Sequence, residues 1–145
     1  MSRRRVAAAA IVGVAVATVA AVLPVIIPAE PLPADRIARH VGIGVAWIAA
    51  GLMALWRRPA NRIGMLMAAV GFLWFVPNLD WWHTPAAYIL VRFFGDLYLA
   101  VAVHMVLAFP SGRLASRIEC VVVVAAYADA FIVANLGEPF RDPRL

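Results

Sequence analysis

The chain has 145 residues, of which 65% are hydrophobic, and its mean hydropathy is +0.88. A water-soluble domain of this length could not bury so much apolar surface, so the composition excludes a soluble fold and predicts a membrane protein. The 13 basic residues give a net charge of +5, but all are arginines spread among short loops. They form no basic face, which argues against nucleic acid as a partner.

Five apolar segments fill most of the sequence. About 20 apolar residues, rising about 1.5 Å each, cross a hydrocarbon core of about 30 Å. We therefore predict an all-α integral membrane bundle of five transmembrane helices, forming a single domain over residues 1–145. The first apolar segment is longer than the core of a secretion signal, so we expect it to be retained as a span. The predicted spans are residues 6–27, 37–56, 62–79, 86–109 and 118–136.

The arginines collect at alternate ends of these spans. Cytoplasmic loops of membrane proteins carry an excess of Arg and Lys. The pattern therefore predicts a multi-pass protein of the cell membrane with a cytoplasmic N-terminus. Eight of the 13 arginines lie in three segments: before the first span, between spans two and three, and between spans four and five. They are Arg3, Arg4, Arg5, Arg57, Arg58, Arg62, Arg113 and Arg117.

Local signals agree with the predicted ends of these helices. Asn61 is placed to cap the third span, and Thr84 followed by Pro85 is typical of the start of a helix. Ser116 and Glu119 have the spacing of a capping box before the fifth span. Glycine and alanine recur through the second span, which favours close contact with another helix there.

Charged and titratable side chains also lie inside predicted spans, where they are costly and therefore informative. The spacing of Arg92, Asp96 and His104 places them on one broad face of the fourth span, and Asp129 lies near the middle of the fifth. Arg92 could be shared by the two carboxylates. Three interpretations remain open: a structural ion-pair cluster, a sensing or proton-responsive site with His104 as the titrating group, and the lining of a water-filled cavity.

Catalytic patterns are missing from the sequence. It has neither a phosphate-binding glycine loop nor an HExxH motif, and its single cysteine, Cys120, can form neither an intrachain disulfide nor a thiolate metal site. We therefore predict no catalytic, cofactor-binding or metal-binding residue in this chain.

Two predicted cytoplasmic loops carry a resemblance. Residues 56–64 read WRRPANRIG, and residues 104–114 read HMVLAFPSGRL. Together, at this separation, they resemble loops in the N-terminal membrane region of a group of actinobacterial sensor histidine kinases. The outer tail, residues 136–144, is similar as well. The resemblance covers roughly residues 45–145.

The resemblance implies the membrane-embedded input region of a two-component histidine kinase. It implies a homodimer in the lipid bilayer that signals to a cytoplasmic response regulator through a kinase core that this chain lacks. ATP is expected only for that absent core, as is every catalytic residue, and the chain is expected to be a fragment. The alternative is a small standalone multi-pass membrane protein or transporter subunit that uses the intramembrane charge cluster as an ion or proton path. A membrane-embedded enzyme is a third, weaker possibility.

Overall fold

The computed structural model describes residues 12–13, 34–82 and 84–136. This described part is helical and contains no strand, as the all-α prediction requires. Val12 and Gly13 are helical, and Gly13 is buried. The remaining elements are α1 (Ala34–Arg57), α2 (Ile63–Leu73), a 3-10 helix (Val76–Trp82), α3 (Pro85–Phe94), α4 (Leu97–Leu107) and α5 (Arg117–Leu136).

The prediction of five transmembrane helices is wrong. Among the described residues, two helical segments are long and apolar enough to cross a membrane, Ile37–Arg57 and Pro85–Leu107. The first of these matches the predicted span 37–56 closely. The second corresponds to the predicted span 86–109, and it consists of α3 and α4 separated by a turn at Gly95 and Asp96.

The other three predicted spans differ for separate reasons. The predicted span 6–27 lies outside the described residues except for Val12 and Gly13. The predicted span 62–79 is a shorter apolar helix, Ile63–Leu79, whose α-helical part has 11 residues. That part is about 16 Å long, roughly half of a hydrocarbon core. The predicted span 118–136 lies within α5, which carries Glu119 and Asp129 and does not belong to the two segments.

Helices α1 and α2 form a tight antiparallel hairpin. The end of α2 lies beside the first turns of α1. This is shown by a hydrogen bond of 3.0 Å from the Trp74 indole N–H to the His40 carbonyl oxygen. A Cβ on Gly51 would lie against the backbone of Ala68, and a Cβ on Gly64 would lie 2.8 Å from the Gly51 carbonyl oxygen. Only glycine allows the two backbones to approach this closely. The predicted close helix contact is therefore confirmed.

The remaining helices continue from this hairpin. Helix α4 packs on α2, and α5 packs on α4. The core between α2 and α4 contains the side chains of Ile63, Leu66, Val70, Val101 and Ala108.

The predicted helix caps are present. Thr84 Oγ1 accepts a hydrogen bond from the Ala87 amide at 3.2 Å, with Pro85 in the first helical position. Asn61 Oδ1 accepts from the Ile63 amide at 3.0 Å, so it supplies a cap from one residue before the N-cap, Arg62. These contacts satisfy amide groups that have no partner inside the helix.

Candidate functional site

Two loops that are distant in sequence meet at one end of the helices. The Asn61 side-chain nitrogen donates a hydrogen bond to the Pro110 carbonyl oxygen at 3.1 Å, across a separation of 49 residues. The other half of the same amide caps α2 through Ile63. One side chain therefore fixes both the start of α2 and the position of the loop after α4. We call residues 57–62 together with residues 109–113 the loop junction.

Gly112, in the second loop of the junction, packs against Asn61 and Arg62 in the first. Its φ is +75°, a left-handed conformation that glycine adopts without strain. Its amide donates to the Ala108 carbonyl at 2.7 Å. A Cβ at this position would lie 2.9 Å from the Arg62 amide nitrogen and 2.9 Å from Asn61 Oδ1. The left-handed turn and the contact between the loops therefore both require glycine here.

The turn around Gly112 is held by local hydrogen bonds as well. Ser111 Oγ accepts a hydrogen bond from the Arg113 amide at 3.2 Å and lies the same distance from the Arg113 carbonyl oxygen. The peptide bond between Phe109 and Pro110 is cis. The FPSGR segment is thus an ordered turn that exposes Phe109 and Pro110 as well as Ser111 and Arg113.

The start of α5 adds a third ordered element beside the loop junction. The Glu119 amide donates to Ser116 Oγ at 3.1 Å, and Glu119 Oε2 accepts from the amides of Ala115 and Ser116. The predicted capping box is confirmed. These backbone hydrogen bonds, first from Ala115 and then from Ser116, hold the pKa of Glu119 below its usual value because they favour the ionised carboxylate.

A pocket of about 230 Å³ opens on the α1–α2 side of the loop junction. It combines an apolar floor with two exposed guanidinium groups. Both polar atoms of the Asn61 side chain are already hydrogen-bonded within the junction, so Asn61 acts as a wall of this pocket. The lining residues are Ala54, Arg57, Arg58, Asn61, Ile63 and Gly64.

The intramembrane residues predicted from the sequence lie elsewhere. Arg92 is half-buried in the last turn of α3 and makes an interaction of its own. Asp96 is exposed at the turn before α4, without a side-chain capping hydrogen bond, and Asp129 is exposed on α5. An ion pair joins the exposed side chains of Arg39 and Asp35 on α1, at 2.7 Å. The sharing of Arg92 by both carboxylates stays a prediction.

His104 has a partner that the sequence reasoning missed. Its Nδ1 lies 3.4 Å from the Tyr127 hydroxyl oxygen, and the two rings meet edge to face with centroids 6.1 Å apart. The signal was available, because α4 and α5 are joined by a short loop and neighbouring antiparallel helices bring such positions together. The contact joins α4 to α5 between the loop junction and Asp129.

The opposite end of the hairpin carries an aromatic cluster that the sequence reasoning also missed. The His40 ring stacks on Trp74 with centroids 5.1 Å apart, and it meets Phe75 edge to face. Trp74 in turn contacts the Tyr98 ring edge to face at 5.2 Å. Single aromatic residues near helix ends were visible in the sequence, but nothing in it showed that they would meet.

Among the residues that the structure describes, no three His, Cys, Asp or Glu side chains are grouped so that they could hold a metal ion. No protein-family model, curated protein or solved structure matches the chain.

Proposed function

We propose that this chain is the membrane-embedded input region of a two-component sensor histidine kinase. The observation that carries the proposal is the loop junction itself. The two segments that resemble kinase loops are distant in sequence, yet Asn61 and Pro110, which are 49 residues apart, are hydrogen-bonded and Gly112 packs against Arg62. Two motifs with one joint structural role are expected to occur together, which supports the resemblance beyond the similarity of either loop alone.

A membrane location is part of this proposal. Two helical segments are long and apolar enough to span a bilayer, and only 22% and 17% of their most apolar windows are buried. Core helices of soluble proteins are mostly buried, so this exposure favours lipid as the surrounding medium. The proposed arrangement is multi-pass, with the arginine-rich loop junction and the N-terminus on the cytoplasmic side. In this proposal the junction passes helix movement to a cytoplasmic kinase core within a homodimer.

The test is autophosphorylation of the full-length gene product in lipid vesicles, after the reading frame downstream of Leu145 has been established. Asn61→Asp keeps an oxygen that can cap α2 but removes the N–H that binds Pro110. We expect this variant to insert normally and to change the rate of autophosphorylation by about fivefold or more, which is the lower end of typical coupling between sites.

The matched control is Ser111→Ala, which loosens the turn after α4 without removing a hydrogen bond between the two loops. It should leave the rate within about twofold of the wild type, because the Asn61–Pro110 link remains. A downstream reading frame that encodes neither a phosphoacceptor histidine nor an ATP-binding domain would contradict the proposal. Cation flux through vesicles that Asp96→Asn abolishes would favour the transporter alternative in its place.

A further inference from the structure

The pocket between the end of α1 and the start of α2 is not explained by the signalling proposal. Its floor is formed by Ala54, Ile63 and Gly64, while Arg57 and Arg58 stand exposed at its edge. Neither arginine belongs to the ion pair found in the described residues, which joins Arg39 and Asp35. The pocket therefore presents two cationic side chains beside an apolar surface.

The charges around this pocket favour an anionic ligand. The loop junction and the start of α5 carry five arginines and a single acid, Glu119, whose Oε2 accepts the backbone amides of the capping box. Guanidinium groups bind phosphate oxygens well because their N–H groups are arranged as a planar fork. The pocket also adjoins the first turn of α2, whose backbone amides favour negative charge.

The shape and position of the pocket suggest the source of the phosphate. It lies at the end of Ile37–Arg57, a segment long enough to span a membrane, where the headgroup layer of a bilayer would be. A free phosphate ion would gain nothing from contact with an apolar floor. The glycerol and first methylenes of a lipid, in contrast, would contact Ala54 and Ile63. Basic pockets at the ends of membrane helices are suited to acidic headgroups.

We propose that this pocket binds the phosphate group of an anionic phospholipid, with Arg57 and Arg58 as the phosphate ligands. Asn61 contributes shape only, since its amide is engaged with Ile63 and Pro110. The inference rests on the membrane location in the proposed function but is independent of kinase signalling. Occupation of the pocket would hold the cytoplasmic ends of α1 and α2 at the bilayer surface.

The test measures binding of phosphatidylglycerol to the purified full chain in neutral detergent, by native mass spectrometry over a range of lipid concentrations. Saturable binding of lipid to the wild type is expected. Arg57→Gln with Arg58→Gln should raise the half-saturating concentration by about tenfold or more, since each arginine near an anionic headgroup contributes about 1 kcal/mol. Arg113→Gln with Arg117→Gln removes the same charge from the same end without touching the pocket, and should change it by less than about threefold.

A second variant separates the pocket from its charge. Ala54→Phe keeps both arginines and fills the apolar floor, so it should weaken lipid binding while the thermal melting temperature stays near that of the wild type. If both double substitutions weakened lipid binding equally, the effect would come from overall surface charge and not from the pocket, and the proposal would be overturned. Displacement of bound lipid by inorganic phosphate alone would assign the pocket to the free ion and overturn the lipid headgroup. Loss of lipid binding with intact autophosphorylation would leave the proposed function standing.

Discussion

The α1–α2 hairpin and helix α5 show two different ways in which an apolar sequence can be used. In the hairpin, glycines bring two backbones into contact, and Gly51, Gly64 and Ala68 are buried. Over residues 117–132 of α5, where burial is described, only Val123 and Ala130 are buried hydrophobic residues, whereas Ile118 is 77% exposed and Val121 and Val124 are each 67% exposed. The hairpin buries the face along which its two backbones meet, although Met53 and Met65 on its outer sides stay exposed, while α5 leaves most of its apolar side chains exposed.

Hydrophobicity alone therefore does not determine where a helix packs. Valine-rich α5 carries β-branched side chains, which leave less room for the backbone of a neighbouring helix than glycine or alanine does. The small residues of α1 and α2 permit close approach, and the gain is van der Waals contact along the whole hairpin. We therefore expect substitutions to have large effects in the hairpin and small effects on the exposed face of α5.

The largest effect is expected from Gly51→Ala. The new Cβ would overlap the backbone of Ala68 and lie 2.7 Å from the Gly64 carbonyl oxygen, so the helices must separate. We expect a loss of about 2–3 kcal/mol in the free energy of unfolding, measured by denaturant titration in detergent. The matched control is Gly42→Ala on the same helix, where a Cβ meets nothing within 4 Å. Equal losses in both variants would show that helix contact is not the cause.

A smaller loss is expected from Gly112→Ala, which tests the loop junction. The left-handed backbone at +75° costs an L-residue about 1–2 kcal/mol, and the Cβ would press on the Arg62 amide. The free energy of unfolding should fall by about that amount, and hydrogen exchange at the Arg62 and Ile63 amides should become faster. Unchanged exchange at these amides would contradict the contact between the two loops. Gly42→Ala again provides the same chemical change in open space.

The smallest effect is expected at Glu119, because the capping box is exposed. The pKa of Glu119 is lower in the folded protein than in the unfolded chain. Its contribution to stability is therefore fully present above the unfolded pKa, about 4.3, and is lost as the pH falls through the folded pKa. Glu119→Gln should reduce the drop in melting temperature between about pH 6 and pH 3. An identical pH dependence in variant and wild type would exclude this carboxylate as a contributor.

Helix identity and helix starts could be predicted well from local chemistry. The caps at Thr84, Asn61 and Ser116 depend on residues within three positions along the chain, so the sequence contains the whole interaction. The number of membrane-spanning helices could not be predicted in the same way. Counting apolar residues assumes one continuous helix, and α2 changes to a 3-10 segment after Leu73, while α3 and α4 are separated at Gly95.

The partners of the predicted polar residues could not be derived from the sequence, and their joint role stays a prediction. The polar residues Arg92, Asp96, His104 and Asp129 were selected because charge is costly in lipid, a rule that names residues but not their partners. The structure places His104 beside Tyr127 and shows Asp96 and Asp129 as exposed. The contact between Asn61 and Pro110 was not foreseen, although both loops had been singled out for their resemblance.

The sequence by itself determined the helical class, the apolar character of the chain, the position of its caps and the concentration of arginine in particular loops. Each of these depends on residues that are close together along the chain. Only the tertiary structure decided that Asn61 meets Pro110, that Gly112 packs on Arg62, and that Arg57 and Arg58 border a pocket. Such contacts depend on how closely two helices approach each other and on where each helix ends. Both are set by the packing of the whole bundle.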